Sequence, residues 1–450
     1  MGLLLQQAVQ IARKERSSVD VVAAAIEAAE KLQPALNAFT GIYGDEALAA
    51  AREADAAPDE DRGPLHGVPV ALKDLYDVAG HVTSGCSRPY LDSPPAVEDS
   101  PHVAALRRHG AIVIGKTNMH ELAFGATNTN SCFGPAYNPW DTERMPGGSS
   151  GGSGAVVAAR IVGAALGSDT GGSIRMPASF CGVTGLKTTW GRLPLHGLMP
   201  MTPSFDTAGV IATDAADARA VFAALERRPV RTTDETTPRH RIGIARDPWL
   251  DAVDPAVAAS VEDAGAVFRR AGNEVRDVDV PWIESASHAW YGVALAEFTR
   301  AYPTLNERRD ELDPAIAMIL DAAVGITAEQ EREARDGIVV ARAAFDAAMS
   351  DLDILVIAAT PFPAPRHVDQ TVEVNGTELM VHLGGPSRFT HAVNVVAAPA
   401  LAVPSGAGAN GLPLGIQLVG RRGSEELLLT AGEAYQRETD WHTRVPPLHA

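Results

Sequence analysis

Cysteine is scarce. Cys86, Cys132 and Cys181 are the only three in 450 residues, and they lie 46 and 49 positions apart. That spacing excludes a disulfide framework and a Cys-x-x-Cys metal knuckle, and it fits a reducing compartment. Positive charge is also short: 38 Lys and Arg stand against 56 Asp and Glu, a formal charge of −18. Phosphate binding needs a basic surface, so the balance argues against nucleic acid as a partner. Long apolar runs are missing. Leu3-Leu4-Leu5 meets Gln6-Gln7 at once, whereas an export signal needs about 7–15 apolar residues and a membrane span about 20. Gln6 stands where a myristoylation site wants Ser or Thr. These absences predict a soluble, cytoplasmic protein that does not act on a membrane.

What is present is a large potential core. Hydrophobic residues make up 46% and charged residues 21%, so wholesale disorder is excluded. Residues 18–32 predict a helix, with Ser17 and Asp20 as a capping box and Val21, Val22, Ala25, Ile26, Ala29 and Leu32 on one face. Short apolar runs at 68–72, 111–114, 352–357, 401–403 and 416–419 have strand length, and helical patterns at 100–108 and 155–166 lie between some of them. That alternation predicts an α/β fold with a largely buried sheet. The polar, Pro-interrupted stretch 227–240 reads as a surface connection, and residues 251–350 read as mostly helical.

The segment 147–175 is the most informative. It opens Gly147-Gly148-Ser149-Ser150-Gly151-Gly152-Ser153-Gly154 and closes Gly167-Ser168-Asp169-Thr170-Gly171-Gly172-Ser173-Ile174-Arg175. Glycine lets other groups approach the backbone N–H, and two such loops around one apolar stretch suggest a site. A flexible linker is disfavoured by the buried-looking residues on both sides. A phosphate-binding P-loop fails because Ser153 stands where its lysine belongs. Gly-x-Ser-x-Gly occurs at 147–151, but the nucleophile elbow needs a strand before it. Here the residues from Asn138-Pro139 to Met145-Pro146 read as a loop. A third element is the strand Gly67-Val68-Pro69-Val70-Ala71-Leu72, which ends in Lys73-Asp74. A lysine there either pairs with Asp74 at a sheet edge or serves a site.

Together these residues resemble the amidase signature family. The resemblance rests on the two glycine-serine loops with Ser149 and Ser173 24 positions apart, the Gly-Val-Pro-Val-x-x-Lys-Asp run, Gly115-Lys116-Thr117-Asn118-Met119, Gly182-Val183-Thr184-Gly185-Leu186-Lys187 and Ser204-Phe205-Asp206. It extends to Pro399-Ala400-Leu401-Ala402-Val403-Pro404 and Gly415-Ile416-Gln417. It implies one domain over 1–450, a signature core at about 65–220, a variable helical region at about 225–345, and a large mixed sheet with helices on both faces. It also implies a Ser–cis-Ser–Lys triad: Ser173 as nucleophile, Ser149 as relay and Lys73 as terminal base. A serine hydroxyl needs a base, and lysine serves only when burial keeps it neutral. The resemblance further implies an oxyanion hole from the backbone of Thr170, Gly171, Gly172 and Ser173. It gives Asp169 and Arg175 a positioning role, which leaves a structural ion pair as the alternative. Ser150 is a positioning residue through loop hydrogen bonds, and Gly125, Ala126 and Thr127 line the acyl side. This chemistry calls for no metal and no cofactor.

Two readings within the family remain. The run Asn118-Met119-His120-Glu121-Leu122-Ala123-Phe124-Gly125 and the run from Phe133 to Pro139 resemble stand-alone amidases such as indoleacetamide and mandelamide hydrolases. These imply a serine amidohydrolase acting on small aryl or alkyl amides, with carbamates (urethanes) and esters as further substrates. The other reading is the glutaminase component of a glutamyl-tRNA amidotransferase, its A subunit, which tends to carry an Asp where this chain has Ser387 and an acid where it has His120. Trp282, Trp290, Tyr291 and Met318 are candidates for the leaving-group pocket, with core packing as the alternative for each. Oligomeric state leaves no mark in the sequence.

Overall fold

The computed structural model describes residues 1–229, 239–382, 384–408 and 410–449. Its strands are β1 (Phe39–Ile42), β2 (Pro69–Lys73), β3 (Ile112–Thr117), β4 (Ala164–Asp169), β5 (Thr184–Lys187), β6 (Thr207–Ala212), β7 (Arg241–Arg246), β8 (Glu274–Asp279), β9 (Ile354–Ala358), β10 (Thr371–Val374), β11 (Thr377–Met380), β12 (Ala400–Ala407) and β13 (Pro413–Gly420). Among the described residues eleven of them form one mixed sheet in the order β1-β3-β2-β4-β6-β5-β12-β13-β9-β7-β8, while β10 and β11 make a separate hairpin. Alternate residues of one strand enter different cores. Val70 and Leu72 join one cluster and Ala71 the other; Val210 and Ala212 join the first and Ile211 the second. Side chains alternate across a strand, so both faces of the sheet are covered. The helices Ser18–Leu36 and Gly151–Ala158 cover one face; Pro101–Arg108, Ala215–Leu225, Pro255–Arg270, Ile283–Ala301 and Glu425–Arg437 cover the other. This is the expected α/β fold.

The first long helix starts as its sequence predicts. The Asp20 N–H donates to Ser17 Oγ at 3.0 Å and the Ser17 N–H to Asp20 Oδ2 at 3.1 Å. One expectation needs correction. The helix read over 155–166 ends at Ala158, and β4 begins at Ala164. Every residue there except Arg160 is buried, so no polar face betrays the change of period, and β4 is fixed by its neighbours β2 and β6. The stretch 251–350 is mostly helical, as expected, and also contains β8, an edge strand that lies parallel to β7. Its charged, half-exposed residues give no apolar run, as befits a sheet edge. The predicted surface connection 227–240 follows the helix Ala215–Leu225, and its residues 230–238 lie outside the described ones. Among the described residues no helix is long and apolar enough to cross a membrane.

The sheet sets the site through one pair of strands. β2 and β4 are parallel neighbours, with Ala71 opposite Ala165 and Leu72 opposite Leu166. Their carboxyl ends therefore bring Lys73 and Ser168 together, at the end of parallel strands where α/β proteins commonly carry ligands.

Candidate active site

Lys73 is fully buried, and its Nζ donates to Ser149 Oγ at 2.6 Å and to Ser168 Oγ at 2.8 Å. It does not pair with Asp74. That carboxylate turns to Lys116 Nζ at 3.2 Å and accepts a short bond from the Ser84 hydroxyl. Among the described residues no carboxylate lies within ion-pair distance of Lys73. Burial pulls its ammonium down to about 7, against the opposing fields of Asp169 and Asp206. A lysine in that range is substantially neutral near pH 7 and can take a proton.

Ser149 begins the loop before the helix Gly151–Ala158, and the Gly148–Ser149 peptide is cis. Its carbonyl accepts the His120 N–H at 3.0 Å. A Cβ on Gly148 would lie 2.8–2.9 Å from the backbone of Ala126, Thr127 and Asn128, so this loop is pressed against the 125–128 segment. Ser150 joins the two glycine loops. Its N–H donates to the Ser173 carbonyl at 3.2 Å, and its Oγ donates to the Ser168 carbonyl at 3.2 Å.

Ser173 borders a cavity of about 200 Å³. The loop before it is held by its carbonyls. Thr170 O accepts from Trp290 Nε1 at 2.7 Å, and Gly171 O from Thr390 Oγ1 at 2.5 Å. Gly172 O accepts the Met176 N–H at 2.8 Å. Gly172, at φ +129°, gives its own N–H to Asp169 Oδ1 at 2.9 Å. This corrects the expected four-residue oxyanion hole, because Gly172 shapes the turn but its donor is taken. The Thr170, Gly171 and Ser173 N–H groups have no acceptor among the described residues. The Thr170 hydroxyl donates to Asp206 Oδ1 at 2.6 Å.

Asp169 and Arg175 form a buried bidentate pair, Nε to Oδ2 at 3.0 Å and Nη2 to Oδ1 at 2.9 Å. Arg175 also donates to Gln417 Oε1 at 2.7 Å, Asn394 Oδ1 at 2.6 Å and Thr390 O at 3.1 Å. Burial alone would raise the Asp169 carboxyl, but Arg175 outweighs it, with help from Lys187 and Asn394, and holds it well below the usual carboxylate range. The ion pair given as the alternative for these two residues is present. It is a buried structural ion pair, and through the Gly172 N–H it also holds the loop that carries Ser173.

The cavity wall contains Gly125 and Ala126 but not Thr127, which is buried behind it with its hydroxyl 3.3 Å from His120 Nδ1. That corrects Thr127 as a lining residue. Burial takes the His120 imidazole down to about 3, so it is neutral. Trp290, Tyr291, Met318 and Ser387 line the cavity, whereas Trp282 packs edge-on against Phe345 in the core. Sequence reasoning missed Ser168, Thr390 and His391. Ser168 lies inside the second glycine loop, and its place at a strand end beside Lys73 was the available signal. Asn394 was missed as well, and Gln417 was quoted only as a landmark, although a lone amide in the apolar strand β13 already demanded a polar partner.

The family model described as Amidase matches residues 20–429. This chain belongs to the amidase family. It is a hydrolase of that kind, acting on carbon–nitrogen bonds. The A subunit of the glutamyl-tRNA(Gln) amidotransferase of Methylococcus capsulatus is 35% identical to it over 481 aligned positions, 98% of each chain. A solved chain from a vestigial protein complex tied to the evolutionary origins of an s-triazine catabolic enzyme superposes with a TM-score of 0.91 at 32% identity, over 99% of this chain and 100% of its own. A crystal structure of an amidase superposes with a TM-score of 0.90 at 29% identity, over 96% and 99%.

Proposed function

We propose that this amidase is a free-standing serine amidohydrolase for small, uncharged amides with an apolar acyl or amine part. The observation that carries the reading is the apolar cavity beside Ser173, in whose described lining residues there is no carboxylate, with Ser387 in its wall. A zwitterionic substrate such as glutamine would leave its ammonium without a partner there, which penalises binding. Neutral Lys73 takes a proton from Ser149 as Ser149 takes one from Ser173. Ser173 Oγ then bonds to the carbonyl carbon, and the electron pair of the C=O bond moves onto oxygen, facing the Gly171 and Ser173 N–H groups. The relay returns the proton to the leaving nitrogen as the C–N bond breaks, leaving an acyl-enzyme. Water enters, loses its proton to the same relay, and releases the acid with Ser173 restored. A urethane carbonyl is open to the same attack, so carbamates and esters belong in the substrate panel.

A second reading has support in the relatives named as A subunits of amidotransferases: a glutaminase that works in a complex. One assay separates the two. Purified protein is given aryl amides, aliphatic amides, carbamates, esters and glutamine, with fluorophosphonate labelling and peptide mapping alongside. The proposal expects turnover of neutral amides by the chain alone, a label on Ser173 and no turnover by Ser173→Ala. Inertness on every neutral amide, with ammonia released from glutamine once a partner is added, would favour the second reading. A label on Ser149 or Ser153 would remove Ser173 as nucleophile.

A further inference from the structure

Trp290 belongs to the helix Ile283–Ala301, inside the region where the family resemblance says least. Yet its indole N–H is the partner of the Thr170 carbonyl at 2.7 Å. In a trans peptide the carbonyl of one residue and the N–H of the next point in opposite directions. Among the described residues the one cis bond is Gly148–Ser149. Holding Thr170 C=O therefore fixes the direction of the Gly171 N–H, a loop donor without an acceptor among the described residues. The indole itself cannot swing. His391 stacks on it with centroids 4.1 Å apart, Phe205 stacks at 6.3 Å, and the edges of Phe124 and Tyr291 meet it at 5.9 and 5.2 Å. The contact also needs glycine at 171, since a Cβ there would lie 2.6 Å from His391 Cδ2 and 2.9 Å from Trp290 Cζ2.

We infer that Trp290 is a positioning residue for transition-state stabilisation: by holding the Thr170 carbonyl, it aims the Gly171 N–H at the oxygen that becomes negative when Ser173 attacks. The inference rests on Ser173 being the nucleophile. It gives the variable helix a part in the rate as well as in the shape of the pocket. Oxyanion donors act mainly on the transition state, so loosening one lowers kcat and leaves substrate affinity little changed.

Trp290→Phe keeps a stacking ring and removes the N–H. We expect kcat for a neutral amide to fall about tenfold or more, with KM within about twofold. The inhibition constant of a boronic acid that bonds to Ser173 should rise by a similar factor, because that adduct occupies the same donors. Amide affinity measured in a Ser173→Ala background should be unmoved by the second substitution. A raised KM with unchanged kcat would make Trp290 a pocket wall only and overturn the inference, as would unchanged boronic acid affinity. If Trp290→Phe does not fold, benzothienylalanine at position 290, which replaces the N–H by sulfur in the same shape, is read by the same criteria. Fluorophosphonate mapping separates the two levels. A label away from Ser173 defeats the proposed mechanism, whereas a label on Ser173 with unchanged kcat defeats only the role of Trp290.

Discussion

Two neighbouring strand ends each bury a lysine, and they do opposite things with it. Lys116 of β3 lies opposite Leu72 of β2, one residue from Lys73. Lys116 Nζ meets the Asp74 carboxylate at 3.2 Å, the Val82 carbonyl at 2.8 Å and the Thr83 hydroxyl at 2.9 Å. Lys73 Nζ meets two hydroxyls. Burial lowers the pKa of both; Asp74 opposes it directly at Lys116, while Lys73 falls to about 7. Burial alone therefore does not make a base. The partner's charge separates the two: a carboxylate works against the pull of burial at Lys116, whereas Lys73 has only hydroxyls beside its Nζ.

The sharpest way to break this contrast is to remove each lysine. Lys73→Ala should lower amide kcat/KM by about 10³-fold, within the range of a lost general base. The loss on a nitrophenyl ester should be smaller by at least about tenfold, because that leaving group needs no returned proton. Equal losses, measured as kcat/KM on both substrates, would confine Lys73 to the attack step. Lys116→Met should act on stability. Breaking a buried pair leaves Asp74 uncompensated and costs about 3 kcal/mol, read as a lower denaturant midpoint, while the folded fraction keeps its turnover.

The pH profile tests the same contrast with a milder effect. In the proposed mechanism the active form of Lys73 is the free amine, so kcat/KM for an amide should rise with pH through about 7 and level off above it. Lys116→Met should leave the position of that limb unchanged. A rate that falls as pH rises through 7 would contradict a neutral lysine base. The smallest effect is expected from Ser168→Ala. The Ser168 oxygen accepts from Lys73 at 2.8 Å, and an accepted bond favours the ammonium. Its loss should move the acid limb of the profile to lower pH by less than about one unit, with kcat changed only a few-fold. A shift to higher pH would mean that Ser168 does not act as acceptor.

Much of the site was legible because it is local in the chain. Glycine-serine loops with few other uses, and a lysine closing an apolar strand, already pointed to Lys73, Ser149 and Ser173 by resemblance. The capping box at Ser17 and Asp20 was legible for the same reason, since its two bonds span three residues. The change from helix to strand between Ala158 and Ala164 was not, because a segment buried on all sides carries no periodicity. Thr127 was misjudged because adjacent residues of an irregular loop face different ways: Gly125 and Ala126 meet the cavity while Thr127 meets His120.

The sequence by itself determined which chemical groups are available: two serines on glycine loops, a strand-end lysine, and an acid and an arginine flanking Ser173. Those are short-range patterns, and composition and spacing carry them. Only the tertiary structure decided what each group touches. It gave Lys116, and not Lys73, to Asp74; it spent the Gly172 N–H on Asp169; and it brought Trp290, 120 positions along the chain, to the Thr170 carbonyl. Hydrogen bonds and burial act over a few ångströms in space, whatever the distance along the chain. Proton affinity and donor direction are therefore properties of the packed sheet and its helices, and the order of the residues does not carry them.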